Sequence, residues 1–315
     1  MRVVLLAGGV GGAKMAEGLS AIVGRDLTVI VNTGDDLELH GLAVWPDRDT
    51  VAYRLAGLDD EVRGWGVRGE SWTVMDRLEA LGEPEWFRLG DRDLATRLWR
   101  TDRLRAGGRP TEVALELGAA MGIESRILPM ADEPVRTEVL TDEGWLEFQE
   151  YFVHRHQEPT VREVRFRGVE SADSTPEVVA AIAHANVLVI APSNPLVSID
   201  PILAVPGIRA SLDEARARDT PMVAVSGIIG GKALKGPADR MLASLGEEAS
   251  ALGVARRYAS LISHFVLDRV DASSEGAVRE LGLETLVTDT IMTDDAARTR
   301  LANEILGFVT TPSVG

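Results

Sequence analysis

RVVLLAGGVGGAKMAEGLSAIVGRDLTVIV, residues 2–31, is the stretch from which the fold follows. Arg2–Ala7 is a β-branched and leucine run that ends at Gly8-Gly9, which is the pattern of a fully buried strand. From Gly12 to Val23 the apolar residues Ala13, Ala16, Leu19 and Ile22 recur at helical spacing. Leu27–Val31 is a second buried run. Strand, glycine loop, helix and strand within about thirty residues make a βαβ unit, whose two strands must be parallel.

The same alternation resumes late in the chain. Pro176–His184 reads as a helix with proline in its first turn. Val187–Ala191 and Met222–Ser226 are further buried strands. Helices are expected over Gly207–Arg218, Pro237–Leu245 and Ala251–Arg257, late strands at His264–Leu267 and Thr285–Val287, and a closing helix at Asp294–Phe308. Between the two parallel portions the character changes. Asn32 to Thr50 is polar, with no regular structure expected. Helices are predicted near Thr50–Ala56, Ser71–Leu81, Asp91–Arg103 and Thr111–Met121, the last with Thr111 as N-cap. Arg126–Pro129 reads as a strand. Val135–Thr141 and Trp145–Phe148 flank the turn Asp142-Glu143-Gly144 as an antiparallel hairpin, and Val161–Phe166 alternates as another strand. The expected fold is α/β: one domain over 1–315 with a doubly wound, mostly parallel, Rossmann-like sheet and a helical and β-hairpin insertion at about 50–170.

Composition narrows the function. The 315 residues carry 33 Lys+Arg against 49 Asp+Glu, a net charge of −16. A surface this acidic repels phosphodiester backbones and anionic lipid, so neither nucleic acid nor a membrane is an expected partner. Cysteine is absent, which excludes disulfides, thiolate metal sites and a cysteine nucleophile. No signal-peptide pattern opens the chain and no apolar run is long enough for a membrane span. A cytoplasmic location is the expectation.

Gly8, Gly9, Gly11 and Gly12, with Lys14 behind them, sit between strand and helix. Backbone N–H groups there can cradle phosphate, helped by the helix N-terminus. The fingerprints of known loops are incomplete. Lys14 stands where a dinucleotide loop needs glycine, and Asn32 stands where it needs an acid. Ala13 and Met15 flank Lys14 where a Walker A loop needs glycine and Ser/Thr. Asn32-Thr33-Gly34-Asp35-Asp36 falls at the carboxyl end of the second strand, and Pro46-Asp47-Arg48-Asp49-Thr50 follows before a helix. Four carboxylates beside a phosphate loop suit a hard cation such as Mg²⁺, while Asp47 or Asp49 equally suits the N-cap of a helix starting near Thr50. Asp91 has the same capping option, leaving Arg88 and Arg97 for anionic groups. Pro192-Ser193-Asn194-Pro195 and the glycine–lysine loop Gly227–Pro237 follow two more strands on the same sheet edge.

In order along the chain, VNTGDD, WPDRDTVAYRLAG, GWG, WFRLGDRDLATR, RTD, RILPM, FQEYFV, APSNPLVSIDPILAVPGIR and GGKALKGPADRM resemble the 2-phospho-L-lactate transferase family of coenzyme F420 biosynthesis. The resemblance runs from Val3 to about Thr293. It implies a Mg²⁺-dependent transferase that joins a guanylylated 2-phospholactate, or its phosphoenolpyruvyl analogue, to the deazaflavin Fo with release of GMP. It implies a homodimer. Carried over by position, it makes Asp49 the catalytic residue, Asp49 and Arg88 the Fo contacts, and Asp36 and Asp49 the metal candidates. It assigns Gly8, Gly9, Gly11, Gly12, Lys14, Asn32, Ser193 and Asn194 to nucleotide and phosphate. This sequence departs from the family at Trp45, Arg48, Arg97, Asp200 and Gly227. Two other readings compete: a non-catalytic nucleotide-sugar-binding regulator, which should lack the PDRDT and LGDRDLAT segments, and a dehydrogenase with a degenerate Rossmann loop.

Overall fold

The structure is a computed structural model and describes residues 1–310. Along the chain it runs β1 (Val3–Ala7), α1 (Gly9–Val23), β2 (Leu27–Val31), β3 (Leu37–Leu39), β4 (Leu42–Val44), α2 (Pro46–Leu55), α3 (Thr73–Glu79), α4 (Asp91–Arg105), α5 (Pro110–Ala120), β5 (Arg126–Pro129), β6 (Arg136–Thr141), β7 (Gly144–Glu147) and β8 (Glu163–Arg167). It continues with α6 (Pro176–Ala183), β9 (Val187–Ile190), α7 (Asp200–Ala204), α8 (Pro206–Ala217), β10 (Met222–Val225), β11 (Ile228–Ile229), β12 (Lys232–Ala233), α9 (Ala238–Ser244), α10 (Ala251–Tyr258), β13 (His264–Asp268), α11 (Glu275–Arg279), β14 (Glu284–Thr288) and α12 (Asp295–Thr310).

Seven strands form one parallel sheet in the order β14-β13-β10-β9-β1-β2-β5. The chain builds outward from β1 to β5, then returns to the other side of β1 at β9. The winding direction therefore reverses between β1 and β9, and the carboxyl ends of these two strands open a crevice there. The doubly wound α/β expectation is met, and all seven strands of this sheet are parallel.

Side-chain alternation sorts the apolar residues onto two faces. Val3, Leu5 and Ala7 of β1 pack with α1, α2 and α12; Val4 and Leu6 face the layer that holds α6, α8 and α10. Both faces are covered, which is why these strands read as unbroken apolar runs. Among the described residues no single helix is long and apolar enough to cross a membrane.

Several boundaries differ from expectation. β5 lies within the predicted 50–170 insertion yet pairs with β2 in the main sheet, so the insertion falls into two parts. The first holds α3–α5, and the second is the antiparallel sheet β7-β6-β8. The polar stretch after Asn32 contains its own hairpin, β3 with β4. Pro46, not Thr50, opens α2. Neither Asp47 nor Asp49 caps it, since Trp45 occupies that position without a side-chain bond. Thr111 does not cap α5 either: its N–H and hydroxyl both donate to Asp132 at 2.7 Å. Asp91 does cap, but a different helix from the one it begins. It accepts from the N–H groups of Thr73 and Val74 at the start of α3, while Glu70 accepts from Arg92 and Asp93 in α4.

Candidate active site

The crevice at the strand reversal opens into a cleft of about 810 Å³. Gly8, Gly9, Gly11 and Lys14 form one wall and Pro192, Ser193 and Asn194 another, with Asp35 and Asp47 also on the lining. Trp65, Trp86, Phe87, Phe148 and Phe152 supply a broad apolar side, and Arg63, Arg88 and Lys235 bring positive charge.

The glycine segment is tighter than a free loop. α1 begins at Gly9, so the glycines form its first turn. A Cβ on Gly11 would overlap the carbonyl oxygen of Pro192, and one on Gly8 would crowd Asp47 and Ser198. The β9 turn at Gly11, and α2 with Ser198 at Gly8, thus come too close for a side chain at either position. Ser193 fastens the two turns: its hydroxyl donates to Gly8 O at 2.7 Å and accepts from Gly8 N–H at 3.3 Å. Asn194 reaches the cleft, while its Oδ1 accepts from Leu196 N–H at 3.0 Å to cap the following turn. Gly12 lies behind the lining, packed on Ala7 and Ser193. Lys14 Nζ donates to Met292 O at 2.8 Å, and burial, aided by the Arg298 charge, lowers its pKa.

The acids rearrange most relative to expectation. Asp47 is in the first turn of α2 and turns toward α1, where Oδ1 accepts from Gly9 N–H at 2.8 Å. Asn32, fully buried, is not on the cleft wall. Its Nδ2 donates to Asp47 Oδ2 at 2.9 Å, Asp35 Oδ1 at 3.1 Å and Val197 O at 3.2 Å. An amide nitrogen has two hydrogens, so three acceptors converge on it. Gln149, just before Glu150 and after β7, donates from Nε2 to Asp35 Oδ2 at 3.2 Å. No Lys, Arg or His ion pair reaches Asp35 or Asp47 among the described residues. Burial raises both carboxyls, Asp47 to about 6, and the neighbouring Asp47 charge pushes Asp35 further up.

Asp36 and Asp49 stand elsewhere. Asp36 turns under α2 to pair with Arg48, whose guanidinium lies 3.4 Å over the ring of Trp45. Asp49 is enclosed by α4: Arg100 grips both of its oxygens and Arg97 Nη1 donates to Oδ2 at 3.1 Å. Neither acid lines the cleft. Asp35, one position before Asp36, and Asp47, two before Asp49, do line it. Arg88 lines the cleft, paired with Asp76 and resting 5.3 Å from the ring of Trp72.

Two acids without an ion-pair partner thus stand beside a helix N-terminus, in the same cleft as Lys14, Arg63, Arg88 and Lys235. The family model for 2-phospho-L-lactate transferase CofD matches residues 3–303. The chain belongs to the 2-phospho-L-lactate transferase family. A phosphoenolpyruvate transferase of Kitasatospora aureofaciens is 43% identical over 98% of this chain and 98% of its own length. A 2-phospho-L-lactate transferase of Methanosarcina mazei is 37% identical over 96% of this chain and 99% of its own. Among solved structures, a UPF0052-family protein of Bacillus halodurans shares the fold at a TM-score of 0.62 and 15% identity, covering 97% of this chain and 98% of its own. Membership of the 2-phospho-L-lactate transferase family meets the expectation of a transferase enzyme.

Gln149 and the aromatic wall are not among the residues that the sequence assigns to the site. Gln149 stands between Phe148 and the cleft residue Phe152, and the motif FQEYFV contains all three, so the signal was present without a site to attach it to.

Proposed function

We propose that this cleft transfers a 2-phospholactyl or phosphoenolpyruvyl group from a guanylylated diphosphate donor to the terminal ribityl hydroxyl of Fo, releasing GMP. One observation carries the reading: a single cavity joins a helix N-terminus and an unpaired acid pair to a wall of aromatic rings. The polar end suits a diphosphate and the aromatic end a flat tricyclic acceptor. Gly9, Gly11 and Lys14 face the phosphates, with Gly8 and Gly12 shaping the turn. Ser193 and Asn194 border the nucleotide. Arg88 is on the acceptor side.

Asp35 and Asp47, rather than Asp36 and Asp49, would hold Mg²⁺. Among the described residues no group of three or more His, Asp or Glu could hold a metal by itself. Two carboxylates are enough protein ligands for Mg²⁺, which keeps waters and substrate phosphates among its others. When bound, the ion neutralises charge that builds on the diphosphate. The chain's own residues do the rest by positioning. Free N–H groups of α1 and Lys14 fix the diphosphate, and the aromatic wall excludes water and lays the acceptor hydroxyl against the phosphorus that bears the lactyl or enolpyruvyl group. The new P–O bond forms as the bond to the GMP phosphate breaks, and the hydroxyl proton passes to water. Asn32 holds the acid pair instead of a ribose, which counts against the dehydrogenase reading. A homodimer in the cytoplasm is part of the same proposal.

The test is purified protein with Fo, Mg²⁺ and each guanylylated donor, followed by mass spectrometry. GMP should appear in step with loss of Fo, and EDTA should stop it. No GMP with any donor overturns the reading.

A further inference from the structure

We propose that Gln149 is a positioning residue that fixes Asp35 for a divalent cation without cancelling its charge. The inference rests on the metal reading above. Each oxygen of Asp35 has one amide donor. Oδ1 takes Asn32 from the end of β2, and Oδ2 takes Gln149 from the second insertion. Gln149 is itself 8% exposed and shares the cleft wall with Phe148 and Phe152, whose rings stack at 5.5 Å.

The chemistry of the donor matters. An arginine or lysine at this position would neutralise Asp35 and compete with a metal. The chain uses that solution for Asp36 and Asp49, which hold Arg48, Arg97 and Arg100. At Asp35 it supplies a neutral amide. Such a donor orients the carboxylate and leaves its negative charge for the cation. Outer-shell partners of this kind typically set ~10–100-fold in metal affinity. Because Gln149 belongs to the insertion and Asp35 to the sheet edge, the bond also ties the aromatic wall to the acid pair.

The experiment measures Mn²⁺ affinity of the full chain, alone and with GDP present, by electron paramagnetic resonance of the free ion, with melting temperature in EDTA recorded alongside. Gln149→Leu removes the donor, and Gln149→Met does so at equal length and greater flexibility. The expected result is at least a tenfold loss of Mn²⁺ affinity (~10–100-fold) with little change in melting temperature. Unchanged Mn²⁺ affinity in either folded variant overturns the assignment. So does a loss of affinity that comes with a large fall in melting temperature in both variants, since Gln149 would then be only a packing residue. Wild-type protein that takes up no Mn²⁺ either alone or with GDP bound overturns the metal reading and this inference with it, whereas a silent Gln149 beside a metal-binding wild type leaves that reading standing.

Discussion

The backbone N–H of Gly9 donates to Oδ1 of Asp47 at 2.8 Å, so the first turn of α2 presents a carboxylate to the open end of α1. Asp47→Asn removes that charge and, depending on the amide's orientation, turns a donor toward Gly9 N–H or Asn32 Nδ2. We expect turnover to fall by ~10²-fold or more, the scale of losing one preorganised electrostatic contact, with a near wild-type melting temperature. Initial rates of GMP release and a thermal melt check both halves.

Asp49→Asn should behave in the opposite way. Its partners Arg97 and Arg100 are buried and would keep their charges with less to offset them. Breaking such a pair costs roughly 3–5 kcal/mol. Urea unfolding should show a loss on that order. A variant with wild-type stability and no turnover would restore Asp49 to the reaction itself.

Two glycines predict opposite signs. A Cβ at Gly11 meets the backbone of Pro192, whereas one at Gly118, inside α5, meets nothing within 4 Å. Gly11→Ala should push α1 away from the β9 turn, lowering both stability and donor affinity. Gly118→Ala should stabilise by about 0.5–1 kcal/mol. Denaturant midpoints of the two variants decide.

Asp93 gives a pH test remote from the cleft. Burial raises its carboxyl to about 6 despite Arg97 beside it, against an unfolded value near ~3.9. The folded state therefore holds the proton more tightly. Its contribution is full below ~4 and is lost as pH rises through about 6. Asp93→Asn stays neutral throughout. Its stability relative to wild type should improve between about pH 4 and 6.5, by an amount on the order of 2–3 kcal/mol, and level off above that. A difference that does not change with pH would reject the shift.

The aromatic wall predicts a selective effect. Phe152→Ala should raise KM for the acceptor about five- to tenfold, the size of ~1 kcal/mol of ring contact, and leave KM for the guanylylated donor unchanged. Equal shifts for both substrates would place the ring outside the acceptor side.

The sheet was readable because buried parallel strands are short apolar runs and each is followed by its own turn signal. Gly8-Gly9 and Pro192-Ser193 were legible as sheet-edge turns for that reason. What the pattern could not show was which acids survive unpaired. Asp49 looks like a reactive carboxylate until Arg97 and Arg100 arrive from α4, about fifty positions later, and take both oxygens. Asp35 and Asp36 are adjacent in sequence, and only the backbone turn at Thr33–Asp36 sends one to the cleft and the other to Arg48. β3 and β4 escaped notice because three-residue strands in a polar stretch carry too little periodicity. The start of α2 was displaced by reading Asp47 and Asp49 as caps, although Pro46 at the first helical position marks the true beginning.

β1 precedes the other strands of the sheet in sequence and lies inside it between β9 and β2, while the outer face of α1 is covered by α12, the last helix of the described chain. Arg298 of α12 closes that layer, buried against Glu17 of α1 and Glu61 after α2. A ribosome must therefore release nearly the whole chain before its opening βαβ unit is sheltered. Nascent intermediates would carry an uncovered apolar helix through most of synthesis, and such surface invites association with other chains. Expression at low temperature, or with chaperones that hold the nascent chain, should raise the soluble yield of this protein more than it would for a fold whose early segments pack on each other.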